Sequence, residues 1–245
     1  MSEMDTWDTV FHEHVSAEDI ERSATLQSLD AIYPQVHRLA ADTDSINSIL
    51  DIGCRNGAFA SAIGAYLQVD QLYGVDIDPS MVDLAASNGI EAYALDVEDE
   101  QFPLDDDSID AVISFGLLEH LRYYDHLFDE ITRVSPDGWL WLSSPNLGGW
   151  NNRLALLLGY QPRNVEVSQR RAVGTLSMYD PDEALDHVHA PTYRALRELL
   201  DLYGYRIEHT ATLTPYQRTR LVTILDLTLG WRAAWARRLA VLAKR

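Results

Sequence analysis

The chain has one cysteine, Cys54, and one lysine, Lys244, in 245 residues. A lone thiol excludes an intrachain disulfide and cannot by itself form a zinc site, so Cys54 reads as small apolar filler. No apolar run approaches the ~18 residues of a membrane-crossing helix, and the acidic opening MSEMDTWD lacks the apolar core of a signal peptide, so a cytoplasmic protein is expected. Positive charge is scarce: 19 Lys+Arg stand against 38 Asp+Glu, for a formal net charge of −19. A field of that sign repels polyanions, which argues against nucleic acid as a partner. At this length one α/β domain with a sizeable core is expected, with no need of a disulfide or structural metal.

What is present is organised around Ser48 to Gly57, SILDIGCRNG. An apolar run ends in Asp51 and passes into a turn carrying Gly53 and Gly57, after which Ala58 to Ile63 reads as helix. Glycines let the backbone turn tightly and a ligand lie against it, and the free N–H groups opening a helix favour polar or anionic groups. A second run, Gln71 to Val75, ends in Asp76, about 20 residues past the loop, where ribose-binding acids of nucleotide folds sit. A third ends in Asp96 and a fourth in Phe115. Parallel strands of such sheets present their carboxyl ends to one crevice, so Asp51, Asp76, Asp96 and Phe115 are expected to converge there.

These segments resemble the class I S-adenosylmethionine-dependent methyltransferases. DIGCRNG is similar to the family's DxGxGxG loop, GVDIDPSMVDLA to its second-strand motif, and FPLDDDSIDAVISFGLLEHL to the stretch of its third and fourth strands. The resemblance runs from about Ile49 to Ala243. It implies an α/β fold, Rossmann-like, three-layer α/β/α, with a mostly parallel seven-stranded sheet whose last strand is antiparallel. It also implies S-adenosyl-L-methionine as cofactor, with Asp51, Gly53 and Gly57 at the methionine end, Asp76 on the ribose, Ile77 on the adenine face, and Asp96 with the Val97 N–H on the adenine edge. One departure is Arg55, where the family's middle glycine stands. The same position, with Ala58, argues against a dinucleotide-binding GxGxxG loop. Two other readings stay open: a nucleotide-binding oxidoreductase and a catalytically silent S-adenosylmethionine-binding partner protein. The excess of aspartate over glutamate and the near absence of lysine resemble proteins of salt-loving archaea.

Around this centre the chain divides into a helical cap at 1–45, an insertion at 145–190, and a helix with a seventh strand at 216–245, all within one domain, 1–245. Residues 1–17 show no clean period. Apolar spacings of three and four predict an amphipathic helix from Ala17 to Ala41, which either covers the cofactor or packs on the sheet. The acidic stretch Glu98 to Asp107 is expected to be an irregular, solvated loop. The insertion leaves the carboxyl edge of the sheet and is expected to form an acceptor-side wall, with Trp150, Asn151, Asn152, Arg153, Tyr160, Arg163, Arg170, Arg171 and Tyr179 as stacking and hydrogen-bonding groups. Residues 218–245 carry seven basic groups against Asp226 alone, so a membrane-surface contact stands beside the strand reading there.

The candidate base is His120, in LLEHL just past the fourth strand, because an imidazole takes up a proton near neutral pH; its alternative is simply to pack the following helix. His187 and His189 are further acceptor-side candidates. Some relatives bind a divalent metal through an ExxEH pattern; Gly116 stands where the first glutamate would be, so no metal is expected. The acceptor is expected to be a small-molecule, glycan or lipid-linked group, methylated on oxygen.

Overall fold

The computed structural model describes residues 3–23, 25–42, 46–176, 186–214 and 219–245. Seven strands form one sheet in the order β3-β2-β1-β4-β5-β7-β6. They are β1 (Ser48–Ile52), β2 (Gln71–Asp76), β3 (Glu91–Ala94), β4 (Ala111–Phe115), β5 (Trp139–Pro145), β6 (Arg206–Leu213) and β7 (Arg238–Lys244). Strands β1 to β5 are parallel, and β7 runs antiparallel between β5 and β6, as expected. The order reverses at β1, between β2 and β4, and that reversal opens a crevice at the carboxyl ends.

Period-two alternation sends successive side chains of each strand to opposite layers. Ile49, Trp139, Trp141 and Leu242 face one core with Trp7 and Phe11 of α1 (Glu3–His14), Ile32 and Val36 of α3 (Leu29–Ala40), and Phe59 and Ile63 of α4 (Ala58–Leu67). Leu50, Leu140, Leu142 and Val241 face the other, with Phe128 and Ile131 of α6 (Asp125–Val134) and Leu196 and Leu200 of α8 (Tyr193–Leu202). Cys54, Ala60 and Ile90 close a small cluster with Ala85 of α5 (Pro79–Ser87).

The N-terminal region departs from a single helix. It is α2 (Ala17–Arg22), a 3-10 turn at Leu26–Ser28, and then α3. Ser16 and Asp19 form a reciprocal capping box that starts α2. The break follows from Thr25, whose hydroxyl hydrogen-bonds the Ser143 hydroxyl at 2.7 Å in the buried carboxyl end of β5. The chain thus dips to the sheet edge before α3 resumes. Residues 3–14, without a clean period in sequence, are helical, and Trp7 and Phe11, one turn apart, are both fully buried.

The insertion is also more structural than expected. It opens with α7 (Trp150–Leu157), whose Asn151 and Asn152 are buried. Asn146 donates to the carbonyls of Ala233 and Ala236, and Asn152 to that of Asn146. Trp150 donates through Nε1 to Asp226 of α9 (Arg220–Thr228), and buried Arg163 is paired with Glu166. These side chains are spent inside the fold and are not presented to an acceptor. Tyr179 lies outside the described residues. The acidic loop at 98–107 is irregular, with Asp105, Asp106 and Asp107 exposed, and Glu130 and Arg133 of α6 pin it through Phe102 and Leu104.

Candidate active site

The loop after β1 supplies the floor of the crevice. Gly53 and Gly57 take left-handed φ values of 77° and 72°. At Gly57 a Cβ would lie 2.7 Å from Ile90 Cγ1, so the position demands glycine twice over, by conformation and by space. Arg55 also adopts a positive φ, 51°, without being glycine. Its backbone N–H donates to Asp76 Oδ2 at 2.8 Å, while the Asp78 N–H donates to Asp76 Oδ1 at 3.0 Å. Both oxygens of Asp76 are thereby oriented, yet each keeps accepting capacity.

Asp51, at the end of β1, is buried, and burial first, then the neighbouring Asp76 charge, pushes its carboxyl up to about 7. Such a perturbed acid in a cleft is a binding-site signature. Asp51, Gly53, Cys54, Arg55 and Phe115 line one pocket with Phe59. The Phe115 ring lies 4.9 Å from both Phe59, at a tilt, and Trp141, edge-on. Ile77 stands at the tip of β2 with 70% of its surface exposed, an apolar face open to a planar ligand. Asp96 accepts from the Glu98 N–H at 3.0 Å, its own N–H donates to Glu100, and the Val97 side chain is buried in the second core. The Cys54 thiol is buried and its pKa is pushed up, first by burial, so it is a poor nucleophile.

Several residues of this pocket were not legible as such in the sequence, Asp19, Ser23, Leu26 and Phe59 among them. Asp19 reaches the loop by accepting from Asn56 Nδ2 at 2.8 Å. The N-terminal segment therefore both lines this pocket and packs on the sheet. Its α2 and 3-10 turn wall the pocket, and α1 and α3 pack on the sheet.

Beyond β4 lies a second group. The Leu117 side chain would sit 3.6 Å from a Cβ on Gly53, which joins this group to the loop. Glu119 is buried in the 3-10 turn Leu118–His120 and bonds Arg238 Nη2 at 2.8 Å. Burial pushes its pKa up, but Arg238 and then His187 pull it down further, and the net shift is downward. Burial lowers His187 to about 4, so this imidazole is neutral at neutral pH. His120 is exposed, with its ring 5.1 Å from that of His187 and its Nδ1 3.2 Å from the Asp186 carbonyl. A carbonyl only accepts, so this contact calls for a proton on Nδ1 and does not engage Nε2. The returning end of the insertion is fastened here, as the Val188 N–H donates to the Glu119 carbonyl. His189 stacks on Tyr124. His120 is not among the residues lining the loop pocket; it stands at the next turn along the same edge.

Glu119, His120 and His187 bring ligand-type atoms within 4.8 Å of one another. Arg238, however, already neutralises Glu119, and its Nη2 lies 3.2 Å from where a side chain at Gly116 would begin. A guanidinium in that place opposes a second cation.

A Rossmann-like sheet with a seventh antiparallel strand, a glycine loop and acids at successive strand ends defines a class I methyltransferase fold. The family model described as a methyltransferase domain matches residues 25–210, and the chain belongs to this family. Among solved structures, the PH0226 protein from Pyrococcus horikoshii OT3 aligns with TM-score 0.59 at 18% identity, covering 96% of this chain and 94% of that one. An S-adenosylmethionine-dependent methyltransferase from Mesorhizobium loti aligns with TM-score 0.58 at 20% identity, covering 88% and 98%. Magnesium protoporphyrin IX methyltransferase from Synechocystis PCC 6803, with bound SAH, gives 0.58 at 17%, covering 99% and 94%. No curated protein matches the sequence.

Proposed function

We propose that the crevice binds S-adenosylmethionine and that the chain methylates an oxygen of a small-molecule, glycan or lipid-linked acceptor entering beside His120. The observation that carries this reading is Asp76, held on both oxygens by backbone N–H groups at the end of β2. A fixed carboxylate there is suited to accept from vicinal ribose hydroxyls. Asp51 offers a buried negative charge to an ammonium group, Gly53 and Gly57 allow close approach, and exposed Ile77 with the Asp96–Val97 turn suits a purine. The donor set therefore fits the cofactor, which when bound supplies a methyl activated on a sulfonium.

The protein's own part is to align the acceptor, exclude water and take a proton. In this reading His120 Nε2 is the atom that takes it. Buried Glu119 Oε2, His187 Nδ1 and Arg238 Nε lack hydrogen-bond partners, which suits a polar group arriving between them. Since Arg238 neutralises Glu119, no divalent ion is required in this reading.

Titration calorimetry on wild type and Asp76→Ala tests the cofactor half, and the expected loss of affinity is about tenfold or more. Unchanged affinity, or tighter binding of NAD, would favour an oxidoreductase instead. Turnover of a found acceptor should survive a chelator; loss restored by magnesium would overturn the metal-free reading. Cofactor binding without turnover of any acceptor would leave a silent binding partner as the better description.

A further inference from the structure

Acids are spread through most of this chain, but 145–165 has none and 209–245 has only Asp226. The two acid-poor segments meet in space. Trp150 at the start of α7 donates to Asp226 of α9, and Arg153 lies 4.4 Å from the ring of Trp235. Asp226 itself is buried and paired with Arg237, so the junction presents no negative charge.

The outward faces of both helices are apolar where a surface helix is normally polar. On α7, Leu156 and Leu157 are 60% and 82% exposed; on α9, Leu221, Ile224 and Leu227 are 65%, 56% and 72% exposed. Trp231 follows at 62%, with the Arg232 guanidinium over its ring. An exposed apolar patch of this kind marks an interaction site. Exposed leucine, isoleucine and tryptophan accompanied by arginine, with no exposed acid on either helix, is the composition of a surface that lies in a lipid interface. No described helix is long and apolar enough to cross a membrane, so the contact is peripheral.

We infer that α7, α9 and the Trp231–Trp235 turn form a docking surface for an anionic lipid bilayer. Charge complementarity selects this occupant: exposed Arg153 on α7, Arg220 on α9 and Arg232 beside Trp231 accompany these leucines in a protein whose net charge is −19. At physiological ionic strength the screening length is ~8 Å, so these contact cations act while remote acids are screened. The register pairs Pro145, where the chain leaves for α7, with Arg238, where it returns from α9, so both helices connect to the carboxyl edge of the sheet. Docking through these helices would hold that edge near the bilayer, where a lipid-linked acceptor resides.

The test is vesicle flotation of the full chain, with neither cofactor nor acceptor present, so its outcome is independent of the methyl-transfer reading. Wild type should float with phosphatidylglycerol vesicles and not with phosphatidylcholine vesicles. The double variant Leu157→Asp, Leu227→Asp should lose about tenfold or more of that binding. Leu202→Asp, an equally exposed leucine at the opposite edge, should bind like wild type. Circular dichroism confirms that each variant is folded. Absence of flotation, equal binding to neutral vesicles, or equal binding by the double variant overturns the proposal. So does a wild-type oligomer that the double variant converts to monomer, since the patch would then be a contact between copies of this chain.

Discussion

Asp51 shows how far one residue is held from its comfortable state. Its carboxyl ionises near 3.8 when unfolded and at about 7 in the fold, because burial and then Asp76 disfavour the charge. A folded pKa above the unfolded one means stability that is complete below the unfolded pKa and is lost as pH rises through the folded one. At pH 8 the apoprotein should therefore carry a penalty of about 2–4 kcal/mol that is absent near pH 4. Asp51→Asn removes the charge, so urea unfolding of the variant should show higher stability at pH 8 and near-equality at pH 4. The same variant should weaken binding of a cationic ligand and flatten the rise of affinity between pH 6 and 8. A variant less stable than wild type at pH 8 would mean that Asp51 is structural. A site that stores destabilisation until its ligand arrives accounts for the acid's position.

Among elements, the junction of β7 with the turn after β4 is the sharpest case. Arg238 begins β7 and Glu119 sits in the middle of a turn 119 residues earlier, and each is the other's counter-charge in a buried place. Removing one member leaves an uncompensated charge, so Arg238→Met should lower stability by about 3–5 kcal/mol, while Arg238→Met with Glu119→Gln should recover most of it. Denaturant titration of the three proteins decides this; a single variant within about 1 kcal/mol of wild type would show the pair to be solvated. This junction was invisible in the sequence, where Glu119 and Arg238 are merely an acid near a helix and one basic residue in a tail. Strands were legible because alternation and terminal acids are local, and the crevice residues followed from them. The separation of α2 from the 3-10 turn was not, since helical spacing continues through it while Thr25 bonds a hydroxyl 118 residues away. Nor were the internal duties of Trp150, Asn152 and Arg163, whose partners lie on other segments or within a coil without period.

At the scale of the whole molecule, charge is the dominant liability. Acids outnumber bases two to one, and several of the bases are already committed to buried or half-buried pairs at Glu119, Glu130, Glu166 and Asp226. What remains on the outside repels itself, which favours expansion over the compact state. Salt shortens the reach of that repulsion from ~10 Å at 0.1 M to ~3 Å at 1 M, while buried pairs are screened much less. Adding potassium chloride should therefore stabilise this fold, with the steepest gain at low concentration and little further gain once the screening length is below the spacing of surface charges. The expected rise in Tm between 0.1 and 1 M is roughly 5–10 °C, equivalent to about 2–3 kcal/mol for a domain of this size. Scanning calorimetry at fixed pH measures it. A Tm that stays flat or falls with salt would show that local pairing already neutralises the acids.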